Sequence, residues 1–126
     1  MSFIQRLAVA VTTAADGSAT AYSATVTGKL SQIRYVKPGS GGFADGSTFT
    51  ITSEATGETL WTETAVNAST TRAPRQATHT TAGAAALYAA SGAAVNDKIG
   101  LADDRVKIVI ASGGNTLACT FHFVFE

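Results

Sequence analysis

Residues Arg105-Val106-Lys107-Ile108-Val109-Ile110-Ala111-Ser112-Gly113-Gly114-Asn115-Thr116-Leu117-Ala118-Cys119-Thr120-Phe121-His122-Phe123-Val124-Phe125 hold two apolar runs separated by a Ser-Gly-Gly-Asn turn. Both runs alternate with period two, the pattern of strands buried on one face. With Gly113-Gly114 at the tip, a hairpin register sets Ile110 opposite Leu117, Ile108 opposite Cys119 and Val106 opposite Phe121, all on one face. The other face sets Lys107 opposite Thr120 and Arg105 opposite His122. Pattern and turn chemistry agree, so this end of the chain is predicted to be antiparallel β with one apolar side.

Working outward, Thr48–Ser53 and Thr59–Thr64 flank a turn at Glu54-Ala55-Thr56-Gly57-Glu58. With Thr56-Gly57 central, Ile51 opposes Thr62, Ser53 opposes Leu60 and Phe49 opposes Thr64. Phe49, Ile51 and Leu60 then share the core face, and Trp61 stands outward opposite Thr52. A one-residue slip sets Trp61 beside Phe49 and Ile51 instead. At the N-terminus, Phe3, Leu7, Val9 and Val11 fall on one face of a strand. Ala8-Val9-Ala10 resembles a signal-peptidase box, but the apolar run before it is too short for a secretory signal, so the segment reads as β. Ala24–Lys37 is a further strand region with an ambiguous buried face, closed by Lys37-Pro38-Gly39-Ser40-Gly41-Gly42. Ile99 and Leu101 mark a short strand. Asp16-Gly17, Asp45-Gly46 and Asp103-Asp104 mark turns.

Residues 65–95 break the pattern, being rich in Ala, Thr, Ser and Gly. Alanine propensity over Gly83–Ala90 predicts a short helical turn, and an irregular stretch of this length is usually functional or mobile. The expectation is one domain over residues 1–126. It is an all-β, antiparallel β-sandwich or jelly-roll-like fold, with 65–95 as a long loop or arm.

Charged residues make up 14% of the 126-residue chain and balance to zero net charge, against about a quarter in an average domain. A neutral surface of Thr, Ser, Ala and Gly suits packing against protein. The scattered cations, with only Arg72 and Arg75 close together outside a strand, argue against nucleic acid. No run approaches a membrane span. The single Cys119 rules out an intrachain disulfide and suits a reducing cytosol.

No catalytic, cofactor or metal site is predicted. Strand alternation sends Cys119 and His122 to opposite faces, so they cannot share a metal. Glu54 and Glu58 flank a turn rather than facing each other across a cleft. Asp103-Asp104 matches no calcium loop, and Gly39–Gly42 lacks the Lys-Ser/Thr of a phosphate-binding loop. Asn67-Ala68-Ser69 is a chance glycosylation sequon. Two features stand out as protein-interface candidates. One is an outward Trp61, which would also suit a sugar platform. The other is Arg72-Ala73-Pro74-Arg75-Gln76, an extended arm in which Arg72, Pro74 and Arg75 would touch a neighbour. Phe3 and Arg6 of the N-terminal strand complete the set.

Several segments resemble small proteins encoded among the head genes of tailed bacteriophages. They are Ala14–Tyr22, Ile33-Arg34-Tyr35, Phe43-Ala44-Asp45-Gly46 with Phe49–Thr52, Thr71–Arg75, and Asp104–Ala111. The similarity runs over nearly the whole chain, although Cys119–Phe125 is more aromatic than the family pattern. The resemblance brings no catalytic motif and implies a virion role. The first expectation is a capsid decoration, or cement, protein, made in the bacterial cytoplasm and placed on the outer head surface. It would contact the major capsid protein and copies of itself, with no nucleic acid or membrane partner. A low-copy neck or tail adaptor and a carbohydrate-binding β-sandwich are the alternatives.

Overall fold

The computed structural model describes residues 4–126. Ten strands follow in order: β1 Gln5–Thr12, β2 Ala19–Tyr22, β3 Val26–Val36, β4 Ser47–Ser53, β5 Thr59–Val66, β6 Thr70–Arg72, β7 Arg75–Ala77, β8 Asn96–Asp104, β9 Val106–Ala111 and β10 Ala118–Phe125. They form two antiparallel sheets, and no α-helix occurs among the described residues. One sheet runs β1-β10-β3-β8-β7, with β6 also paired to β3. The other runs β2-β9-β4-β5. The expected all-β sandwich is the architecture observed.

Alternation supplies the core. β10 buries Cys119, Phe121, Phe123 and Phe125, and β9 buries Val106, Ile108 and Ile110. Tyr35 from β3 meets Phe49 from β4 edge-on at 4.7 Å between ring centroids, and Phe121 meets the same Phe49 at 5.1 Å. These contacts join the two sheets, and edge-on aromatic pairs add to the stabilisation from area burial alone.

The C-terminal pairing differs from the sequence expectation. β9 and β10 are not a hairpin: β9 lies between β2 and β4, whereas β10 lies between β1 and β3 in the other sheet. Thus Ile108 pairs with Ala21 and Ile51, while Phe121 pairs with Val9 and Tyr35. The connecting turn bonds elsewhere. The Gly113 amide donates to Gly17 O, Ala44 N donates to Gly113 O, and the Thr13 hydroxyl donates to Gly114 O at 2.6 Å. A Cβ on Gly113 would sit 2.7 Å from the Thr13 side chain, so the close approach of this turn requires glycine. Facing each other across the interior lets both apolar faces bury against one another, which a shared sheet would not.

The β4–β5 hairpin does form, in the slipped register. Ile51 opposes Trp61, Thr50 opposes Thr62, and a bulge between Ile51 and Thr52 leaves Leu60 without an opposite residue. The bulge lets adjacent Leu60 and Trp61 both turn inward, at 5% and 7% exposure. In β3 the ambiguity resolves to Leu30, Ile33 and Tyr35 inside, with a register shift on its β8 side between Val26 and Gly28. Residues 83–90 form turns and isolated bridges rather than a helical turn, because their backbone groups bond to 78, 80 and 93–95.

Phe121→Ala should lower the unfolding free energy measured in urea by about 3–5 kcal/mol. Thr120→Ala, one residue away on the outer face, should cost under about 1 kcal/mol.

Candidate functional site

The interface candidates separate into two places. Trp61, Glu63 and Arg72 meet at the seam where β5 of one sheet lies beside β6 of the other. The Trp61 indole packs edge-on against Phe49 at 5.5 Å, and its Nε1 donates to Glu63 Oε1 at 3.2 Å. Arg72 grips the same carboxylate with both prongs: Nε donates to Oε1 at 2.9 Å and Nη2 to Oε2 at 2.8 Å. Fork-on-fork geometry fixes orientation. The pair is partly exposed, so its contribution to stability is under about 1 kcal/mol. Its role is to close the sandwich seam. The outward Trp61 is therefore corrected: the bulge turns the indole into the core.

Arg72 and Pro74 lead into the second place. Arg75 Nη1 donates to Ser31 O at 3.0 Å, tying β7 back to the sheet. The chain then leaves the sandwich as an arm spanning residues 78–95. Thr78 N donates to Val95 O, Ala86 N to Thr78 O, Val95 N to Ala86 O and Tyr88 N to Ala93 O. The arm is thus a small backbone-bonded ladder with almost no buried side chain. On this ladder, just before its 89–92 turn, Tyr88 is 76% exposed and Leu87 45%. The stretch expected to be irregular, 65–95, holds the end of β5 and the short strands β6 and β7, whose three-residue pairings leave no alternation to read, so 78–95 is its one long piece outside the named strands. Leu87 and Tyr88 were not singled out from the sequence. The signal was present, as Leu87 and Tyr88 are the only large apolar side chains between Val66 and Val95.

Of the N-terminal candidates, Phe3 lies outside the described residues. Arg6 is exposed on β1, in register with Val124.

The outer face of the four-stranded sheet is a threonine surface. Thr20, Val109, Thr50 and Thr62 form one row across β2, β9, β4 and β5. Thr48, Thr50, Thr62 and Thr64 line a shallow groove of about 390 Å³. Glu63 also lines the groove and Lys107 of β9 stands on the same face, and the hydroxyls can be covered without loss only where a partner supplies hydrogen bonds.

Asp104 and Glu54 are each engaged in hydrogen bonds or an ion pair. Buried Asp104 accepts from the Ser53 hydroxyl through Oδ2, and from the amides of Ala55 at 3.0 Å and Arg105 at 2.7 Å through Oδ1. This staples the β8–β9 corner, where Asp103 holds φ at +48°, to the β4–β5 turn. The Ser53 hydroxyl, ahead of the two amides, holds the carboxyl below its ordinary value. Glu54 pairs with Arg105, whose guanidinium also lies 4.0 Å over the Tyr22 ring. Asn67 accepts from Gly46 N at 2.7 Å, so the sequon asparagine is a turn clamp. Cys119 sits inside, where its sulfur is 3.1 Å from the Tyr35 hydroxyl and accepts from Phe43 N at 3.2 Å. Burial, and then the thiol contact, push the Tyr35 phenol up. His122 lies on the opposite, outer side of β10.

Comparison with known proteins finds no matching family model, no matching curated relative and no matching solved structure.

Asp104→Asn should cost about 1–3 kcal/mol at neutral pH by weakening hydrogen bonds to a charged acceptor. Because the folded carboxyl titrates below the unfolded one, the native advantage is complete above about pH 4. It shrinks as pH falls through the depressed folded value. Urea unfolding of both proteins across this range should show the gap between them narrowing towards acid.

Proposed function

We propose that this chain is a structural protein of the tailed-bacteriophage head, a decoration or cement protein that bridges neighbouring major capsid subunits on the outer surface. The observation that carries this reading is the arm. It is a backbone ladder with almost no buried side chain, and it presents Leu87 and Tyr88 to solvent. Exposed aromatic side chains on a braced loop are typical interface anchors. The sandwich behind the arm is tied across both sheets by aromatic contacts, so a load taken by the arm passes into a packed body. The threonine face offers a second surface for contact, polar and with few charges. The resemblance of Ala14–Tyr22, Phe43–Gly46, Thr71–Arg75 and Asp104–Ala111 to phage head proteins supplies the partner class.

An adaptor at the neck or tail would use the same arm at a few copies per particle. Sugar binding loses its platform, because the Trp61 indole faces Phe49 in the interior.

Quantitative mass spectrometry of purified particles should find about one copy per major capsid subunit, or a simple fraction of that. A handful of copies indicates the adaptor, and absence from the particle overturns the reading. The double substitution Leu87→Ser, Tyr88→Ser should abolish retention on heads while leaving the melting temperature of the isolated protein unchanged. Full retention would remove the arm from the contact.

A further inference from the structure

A strand at the edge of a sheet carries a row of unpaired backbone donors and acceptors that invites a further strand, and edges are commonly blunted against this. Four of the edge strands here are blunted. β2 is short. β6 and β7 are three residues each and meet at Pro74. β5 is bulged twice, and Glu63 on it is clamped by Arg72. β1 has none of these devices. It runs eight residues in unbroken register with β10, from Gln5–Phe125 to Thr12–Ala118. It contains no proline, no inward charge and a single charged residue, Arg6. Its inward side chains also lack cover. β2, the strand across from it in the other sheet, has half its length, and Leu7 and Val9 are only partly buried. Ile4, just before the strand, is 77% exposed.

We propose that β1 pairs antiparallel with β1 of a second copy, joining the two larger sheets across a two-fold axis at Val9. The sequence of the strand is self-complementary in this register. Val9 opposes Val9, Leu7 opposes Val11 of the second copy, Ala8 opposes Ala10, and Arg6 opposes Thr12. Leu7, Val9 and Val11 of both copies then share the inner face, and the small Ala8 and Ala10 share the outer one. The two Arg6 side chains lie at opposite ends of the ladder, so no like charges face each other. A shift of one residue would set Leu7 against Ala10 and break the match of faces. The contact is isologous and closes at two copies. It is a property of the isolated protein and does not rest on the capsid reading.

Sedimentation equilibrium of the full chain should show a monomer–dimer equilibrium. Ala8→Lys with Ala10→Lys changes two exposed residues and sets lysine against lysine twice across the axis. It should weaken the dimer by on the order of tenfold or more. Ala8→Lys with Ala10→Glu sets lysine against glutamate twice and should retain the wild-type dissociation constant. Circular dichroism melts establish that both variants fold; Ala8→Glu with Ala10→Glu replaces a like-charge variant that does not, and Ala8→Glu with Ala10→Lys an opposite-charge one, with the same outcomes expected. A monomeric wild type overturns the proposal. So does a Lys/Lys variant that dimerises as well as wild type, or equal weakening in the two charged variants.

Discussion

Phe121 and Tyr35 converge on Phe49 across the gap between the sheets, and these contacts fix the spacing on which the other elements depend. Phe121 lies on β10 and Tyr35 on its neighbour β3, while Phe49 occupies an interior strand of the opposite sheet. Trp61, Phe43 and Phe123 extend the same aromatic layer. Nothing covalent holds this interior, since Cys119 is a free thiol within it. The polar groups that enter it are matched. Cys119 contacts Tyr35 and accepts from Phe43, and Asp104 accepts from Ser53 and two amides. A buried carboxylate so surrounded keeps its charge without an ion pair, because hydrogen bonds replace its lost hydration.

Much of this was legible in the sequence, and the limits have a common cause. Alternation along 106–110 and 119–125 states which side chains face inward, and every one of those assignments agrees with the structure. It does not state which strand lies alongside, because a hairpin and a cross-sheet pair bury the same face. The turn chemistry of Gly113-Gly114 suggested the wrong choice, since those glycines are needed for close approach to Thr13 and Gly17. Trp61 escaped for a related reason. A bulge turns two consecutive residues inward, and period two has no way to express that. Asp104 was visible as an acidic residue at a turn, but its partner Ser53 is distant in sequence.

The surface divides by mechanical character. The sandwich body is braced by aromatic contacts and closed at one seam by the Arg72–Glu63 fork. The arm from 78 to 95 is braced only by backbone hydrogen bonds and buries almost nothing. Local opening is easiest where few side chains are buried, so the arm is the part of the molecule best able to adjust to a partner while the body keeps its shape. The Thr-rich face and the β1 edge lie on the body and offer contacts of fixed geometry.

β10 comes last in chain order yet lies inside its sheet, between β1 and β3. Until it takes its place those two strands have no common neighbour, and β1 has no ladder partner at all. Completing this sheet therefore brings together segments from nearly opposite ends of the chain, a topology associated with slow folding. A chain that stops short of β10 presents open strand templates in place of a closed sheet, the condition most prone to aggregation. Copies missing this strand are thus not smaller versions of the domain. They lack the strand that β1 and β3 share, so the larger sheet is left in two pieces until synthesis reaches β10.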